Sequence, residues 1–244
     1  MSPTATEGPA WLVLPTYNEA GNIERFVAAV RDKLPASARV LIVDDNSPDG
    51  TGRLADGLAE RIEGVNVLHR ERKEGLGPAY IAGFRRALGE GAGRVLEMDS
   101  DFSHDPAYLP RLLEAGERAD LVIGSRYVPG GGTAEWSAAR RAISRGGSAY
   151  ARRVLGVSVR DLTGGFKCFR REVLEAIDFD SIRSKGYAFQ IELTYRAIRL
   201  GFKVIEVPIV FRDRAVGTSK MDRSIVAEAA WRVPLLRLGR KGRG

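Results

Sequence analysis

Five short, largely aliphatic runs punctuate the first half of the chain: Trp11–Leu14, Val40–Val43, Val65–Leu68, Val95–Met98 and Leu121–Ile123. Runs this short, apolar on successive rather than alternate positions, read as strands buried on both faces. Between them Asn22–Lys33, Gly52–Ile62, Pro78–Leu88 and Ala107–Ala115 carry apolar residues at helical spacing. The third has its proline in the first turn, where a missing N–H costs nothing. Strand and helix in alternation predict βαβ units and a mostly parallel central sheet flanked by helices, an α/β domain.

The second half is less regular. Gly130-Gly131-Gly132 marks a loop, Ala138–Leu155 a long helix, Thr163–Phe169 a strand, Tyr187–Leu200 a helix, Val204–Val207 a strand and Ile225–Leu236 a final helix. In the long helix Ala139, Ile143, Gly146, Tyr150 and Val154 form the stripe expected to pack, with Arg141, Arg145 and Arg152 on another face. No internal repeat occurs. One domain is expected over 10–220, after a flexible segment 1–9 and before an amphipathic helix and basic tail at 221–244.

An open parallel sheet binds ligands at the carboxyl ends of its strands, so chemistry is sought just after each run. Pro15-Thr16-Tyr17-Asn18-Glu19 follows the first, Asp44-Asp45-Asn46-Ser47-Pro48-Asp49-Gly50 the second, Asp99-Ser100-Asp101 the fourth and Gly124-Ser125-Arg126-Tyr127 the fifth. Asp99 and Asp101 can converge on a hard cation that prefers oxygen, with Ser103 adding an oxygen directly or through water. The same residues also make an Asx-type turn capping the next helix at Pro106. Asp44 and Asp45 repel each other unless one meets a ribose hydroxyl, a base edge or a basic side chain; a capped loop accounts for them equally. Tyr17 and Glu19 add the stacking ring and hydrogen-bonding acid that a nucleobase needs.

Charge narrows the partners. Thirty-eight Lys and Arg against 31 Asp and Glu leave a formal charge of +7, an excess that speaks of anionic partners rather than of fold. It gathers in Arg140, Arg141, Arg145, Arg152 and Arg153 and again in Arg232, Arg237, Arg240, Lys241 and Arg243, with no acid after Glu228. Nucleic acid is not the expected partner: the basic residues lack interleaved aromatics, and the carboxylate-rich rim would repel phosphate without a metal. No Gly-x-Gly-x-x-Gly follows the first strand and no Gly-Lys-Ser/Thr loop occurs. A nucleotide is then held otherwise, with Arg126, Arg140, Arg214, Lys220 and a metal as the candidates. The single cysteine, Cys168, excludes an intrachain disulfide and fits a reducing cytoplasm. The polar opening and the lack of an apolar run near the roughly 18 to 20 residues that span a bilayer predict a soluble or peripheral protein.

Three further stretches complete an ordered set: Lys73-Glu74-Gly75-Leu76-Gly77-Pro78-Ala79-Tyr80, Asp161-Leu162-Thr163-Gly164-Gly165-Phe166-Lys167 and Phe211-Arg212-Asp213-Arg214-Ala215-Val216-Gly217-Thr218-Ser219-Lys220-Met221. With the blocks above, and the acidic turn read on to His104, the set resembles the polyprenol-phosphate (dolichol-phosphate) mannose synthases of glycosyltransferase family 2 over about residues 10 to 235. The resemblance implies a Rossmann-like GT-A fold, GDP-mannose as donor, a polyprenyl monophosphate as acceptor, and Mg²⁺ or Mn²⁺. It places Asp45 with the guanosine, Asp99 with the donor and Asp101 on the metal, and puts Ser103 where some members carry a glutamine ligand. Pro15, Tyr17, Glu19, Asp44, Ser100, Arg126, Arg140, Arg214 and Lys220 complete the implied substrate contacts, with Asp99, Asp101, Arg126 and Arg214 central to catalysis. Some members continue into membrane-spanning hairpins. This chain ends at Gly244, which leaves anchoring to a separate membrane protein or to the basic final helix on a cytoplasmic membrane face. A phosphate monoester is already anionic, so no obligatory general base is expected. A UDP-sugar donor is the alternative.

Overall fold

The computed structural model describes residues 8–184, 186–212 and 223–238, with side chains of the last stretch from Trp231 onward. The chain runs β1 (Ala10–Thr16), α1 (Ile23–Lys33), β2 (Arg39–Asp44), α2 (Thr51–Arg61), β3 (Val65–His69), α3 (Leu76–Gly89), β4 (Arg94–Glu97), α4 (Leu109–Gly116) and β5 (Leu121–Ser125). It continues through β6 (Gly132–Thr133), α5 (Ala138–Leu155), β7 (Lys167–Arg170), α6 (Arg171–Ala176), α7 (Gly186–Arg199), β8 (Val204–Pro208), β9 (Val210–Phe211) and α8 (Arg223–Leu238). Seven strands form one sheet in the order β3-β2-β1-β4-β7-β5-β8. All are parallel except β7, which enters antiparallel between β4 and β5. This is the mostly parallel α/β sheet that the aliphatic runs predict.

Both faces are covered because successive strand residues point opposite ways. Trp11, Val13, Leu41, Val43 and Val95 meet Tyr80 and Phe84 of α3 and Phe189 of α7, while Leu12, Leu14, Val40, Ile42 and Leu96 meet Phe26 of α1, Leu58 of α2 and Leu112 of α4. Helix α3 lies so close to the sheet that a Cβ on Gly83 would stand 2.3 Å from Val13 Cγ1. Only a glycine permits that approach.

Several expectations need correction. The strand expected from Thr163 begins at Lys167, because Asp161 to Phe166 form a turn that delivers Asp161 and Thr163 to Arg126. The helix expected from Ala107 opens as a 3₁₀ turn, Pro106–Tyr108, capped by Asp105, whose Oδ1 accepts from Ala107 N at 2.9 Å. In α5 the expected stripe is not the packed one. Ala139, Ile143, Gly146 and Tyr150 are exposed, and the buried positions are Ser148, Ala151 and Leu155. The helix buries side chains only in its second half, where Val154 of the expected stripe also packs on the core, while its first half is held by polar and ring contacts such as Tyr127 Oη to Ser144 Oγ at 2.5 Å. Short elements such as α6, β6 and β9 carry too few residues to show a period and were not expected.

Candidate active site

β1 pairs with β2 on one side and β4 on the other, so the connections leaving these two strand ends diverge and open a crevice. Ser100 Oγ closes its floor by donating to Pro15 O at 3.1 Å. The cleft has a volume of about 290 Å³. Pro15, Tyr17, Glu19, Asp45, Asp99, Ser100, Asp101, Ser103, Arg126 and Arg140 all line it. Asp44 does not, and Arg214 and Lys220 lie outside the described residues.

At one end the two first loops are tied together. Asn18 N donates to Ser47 Oγ (3.1 Å), Glu19 N to Thr51 Oγ1 (2.9 Å) and Ala20 N to Asp49 Oδ2 (3.0 Å). Asp44 is consumed by this scaffold: its carboxylate accepts from Ser47 N (3.0 Å), Ser47 Oγ (2.6 Å) and Thr16 Oγ1 (3.3 Å). Its neighbour Asp45 turns into the cleft and meets Arg70 Nη1 at 2.5 Å, and Arg70 in turn pairs with Glu74 at 2.6 Å. Burial pushes the Asp45 carboxyl up, opposed by Arg70. Across from it the Tyr17 ring carries Lys73 Nζ at 3.7 Å from its centroid, a cation–π contact.

The acidic turn follows β4. Asp101 Oδ1 accepts from Ser103 N at 3.0 Å, an Asx turn, and Asp99 Oδ1 accepts from Tyr80 Oη at 3.1 Å. Phe102, between Asp101 and Ser103, has φ +61°, a left-handed conformation that a bulky residue adopts only under constraint. Its ring is held edge-on to Phe26 at 4.8 Å. Burial, with Asp99 and Glu97 adding to it, raises the Tyr80 phenol far above its ordinary range, so Tyr80 stays a proton donor to Asp99. Ser103 Oγ is buried without a hydrogen-bond partner. Among the described residues no three His, Cys, Asp or Glu side chains form a ready metal cage, so a cation here would need oxygens from its ligand as well.

Opposite the turn stand the arginines. Arg126 Nε and Nη2 each donate to Asp161 at 2.7 Å, and Nη2 also reaches Thr163 Oγ1 at 2.8 Å. Burial opposes both charges, yet their attraction overrides it, holding Arg126 above and Asp161 below the ordinary values. Glu206 fixes the turn below, accepting from Arg160 N and Asp161 N at 2.9 Å each. The Arg126 guanidinium carbon lies 5.2 Å from the Tyr127 ring, 5.5 Å from Phe211 and 5.8 Å from Trp136. Arg140 stacks on Trp136 at 4.2 Å. Arg126 is therefore a pre-set fork with a committed partner, and Asp161, to which the sequence alone assigns no role, is what sets it.

A second buried ion pair lies behind the turn. Glu97 and Lys167 oppose each other in the β4–β7 register, both fully buried, with Nζ 3.1 Å from Oε1. Burial raises the Glu97 carboxyl and lowers the Lys167 ammonium, each opposed by its partner. A charged residue inside each of two apolar strands was the available signal.

An acidic turn at the strand-order switch of a mostly parallel sheet, faced by a carboxylate-and-tyrosine pocket and a set arginine fork, defines a GT-A glycosyltransferase. Residues 11–178 match the family described as glycosyl transferase family 2, and the chain belongs to that family. It is 52% identical over 217 residues to the undecaprenyl-phosphate mannosyltransferase of Micrococcus luteus, covering 89% of each chain. It is 50% identical over 224 residues to the polyprenol monophosphomannose synthase of Mycolicibacterium smegmatis, covering 91% of this chain and 84% of that one. Among solved structures, glucosyl-3-phosphoglycerate synthase from Mycobacterium tuberculosis in complex with Mn²⁺, uridine-diphosphate and glucosyl-3-phosphoglycerate superposes with a TM-score of 0.67 at 23% identity, covering 98% of this chain and 82% of the other. That likeness speaks to the fold alone.

Proposed function

We propose that the protein transfers mannose from GDP-mannose to a polyprenyl monophosphate with inversion, giving a polyprenyl β-mannosyl phosphate. The observation that carries this is identity of half or more, over about nine-tenths of the chain, to two relatives named for mannosyl transfer to a polyprenol phosphate. The cleft is consistent with the two anions such a reaction must bring together. Asp45 and Tyr17 suit a base that offers N–H donors and a stacking face, and Asp99 and Asp101 suit the sugar diphosphate with its cation.

The donor set fits Mg²⁺ or Mn²⁺: two carboxylates in one turn plus the partnerless Ser103 Oγ are hard oxygen ligands. When bound, such a cation neutralises charge growing on the departing diphosphate. The chain's own part is orientation and charge. Arg126, locked by Asp161, presents a fixed fork to phosphate oxygens, and Arg140, with Arg214 and Lys220, offsets the repulsion between donor and acceptor. The acceptor phosphate is already anionic, so in-line placement replaces proton removal.

Among the described residues no helix is long and apolar enough to cross a membrane. Helix α8 instead exposes Trp231, Leu235 and Leu238 beside Arg237, a face suited to lying on an anionic cytoplasmic membrane surface where the acceptor resides. A separate anchoring protein is the other route to that surface.

The test is incubation of purified protein with labelled GDP-mannose and a short polyprenyl phosphate, with and without Mg²⁺ or Mn²⁺, and with UDP-sugars as controls. Metal-dependent label in the lipid fraction is expected, and Asp101→Ala is expected to abolish it in a folded protein. No label in lipid under any metal overturns the proposal, and an α-linked product overturns inversion.

A further inference from the structure

A buried polar chain runs from the sheet to the cleft, and the transfer outlined above leaves it without a task. Lys167 Nζ, paired with Glu97, also donates to Gln190 O at 3.3 Å and to the Gln190 side-chain Oε1. An ammonium has only donors, so it fixes the amide: Oε1 faces Lys167 and Nε2 faces away. Gln190 is 2% exposed and lines the cleft, and its Nε2 is buried with no hydrogen-bond partner. The help Gln190 gives the Glu97 carboxylate can come only from Nε2, which accounts for at most one of its two hydrogens and leaves the other for an acceptor in the cleft. Folded proteins rarely leave such a donor unmatched; an ordered water or a ligand supplies the acceptor, and its place on the cleft puts this one within reach of a ligand.

Its surroundings indicate which acceptor. A Cβ on Gly165 would stand 3.3 Å from Gln190 Nε2 and 3.9 Å from Asp99 Oδ2. The backbone of Gly165 does not require a glycine, so what the position gains from one is space beside the amide. A carboxylate next to an amide N–H₂ suits a hydroxyl, which donates to the first and accepts from the second. We propose that Gln190 reads the transferred sugar, its Nε2 donating to one hydroxyl of the donor hexose, with Lys167 and Glu97 as the positioning residues that set the amide. The inference rests on the nucleotide-sugar reading above.

The test compares GDP with GDP-mannose by calorimetry in the presence of Mn²⁺, for wild type, Gln190→Met and Gln190→Glu. The Glu variant keeps an acceptor for Lys167 while removing the donor, so it guards against a merely misfolded Met variant. Both are expected to bind GDP like wild type and GDP-mannose about five- to tenfold more weakly, the loss of one neutral hydrogen bond. Monodeoxy-mannose donors locate the hydroxyl: one analogue is expected to lose that factor with wild type and nothing further with the variants. Glu97→Gln/Lys167→Met, which removes both buried charges together, is expected to blunt the same discrimination at unchanged GDP affinity. Variants that weaken GDP and GDP-mannose equally, or keep full wild-type discrimination among deoxy donors, overturn the assignment of Gln190 alone. Wild type that binds GDP but gains nothing from the attached sugar overturns the donor reading and this inference with it.

Discussion

Asp161→Asn leaves Arg126 stranded. The pair is 6% and 0% exposed at its side chains, and the lost carboxylate takes three hydrogen bonds from Arg126, from its backbone N at 2.9 Å and from Nε and Nη2 at 2.7 Å. Removing one partner of a buried pair costs about 3–5 kcal/mol, most of it the penalty of the charge left behind. For a chain of this size each kcal/mol lowers the melting midpoint by about 2–4 °C, so a drop of about 6 to 20 °C is expected. Thermal melts and urea titrations followed by circular dichroism measure it. Arg126→Met/Asp161→Leu removes both charges from a site already walled by Tyr127, Trp136 and Phe211, and it is expected to regain most of the stability while losing transfer. The pH dependence has a definite sign. Asp161 is held below its unfolded value, so its contribution is present above the ordinary carboxylate range and fades as pH falls through the lower folded value. The gap between wild type and Asp161→Asn therefore closes in acid. A single-variant loss under about 1 kcal/mol, or a double variant no more stable than the single, would refute the account of a buried, mutually dependent pair.

Three other outcomes are expected. Gly83→Ala drives a methyl to 2.3 Å from Val13 Cγ1 and should cost about 1–3 kcal/mol of overpacking in a urea titration; an unchanged midpoint would mean that α3 does not pack that closely. The Cys168 thiol, pushed up to about 12 by burial, should ignore a disulfide thiol reagent at pH 8 in the native protein and react once unfolded, whereas rapid native labelling would contradict its burial. Trp231→Ala, at a side chain 68% exposed on α8, should weaken binding to vesicles rich in anionic lipid without moving the melting midpoint. Unaltered partitioning removes α8 from the membrane account.

The sheet was legible because parallel strands covered on both faces must be short and apolar on every position, which Val40–Val43 and Leu121–Ile123 are. The rule that ligands sit at strand ends then led to Tyr17, Glu19, Asp45, Asp99 and Arg126, which the structure gathers on one cleft. What stayed hidden depends on register and on distant partners. Asp161 reaches Arg126 across 35 positions, and the facing of Glu97 and Lys167 requires an antiparallel strand inserted among parallel ones. A helical wheel of α5 cannot choose its packed face when small residues lie on every side, and the stripe through Ile143 and Tyr150 proved to be exposed. Asp44 and Asp45 look equivalent in sequence; the end of β2 at Asp44 sends the two side chains different ways, one tying the loop through Ser47 and Thr16 and the other facing the cleft.

The position of β7 also bears on the chain while it is being made. Strands β1 to β4 can assemble as soon as they leave the ribosome, but β5 finds partners only in β7 and β8, both from later sequence. Until residue 170 has emerged, β4 is an edge with open hydrogen-bonding groups, the kind of surface that recruits foreign strands. Glu97 lies on that edge, and its charge resists docking by any strand that cannot bring a cation to meet it. Lys167 brings one in register, so the same carboxylate that guards the growing sheet also selects the strand that completes it.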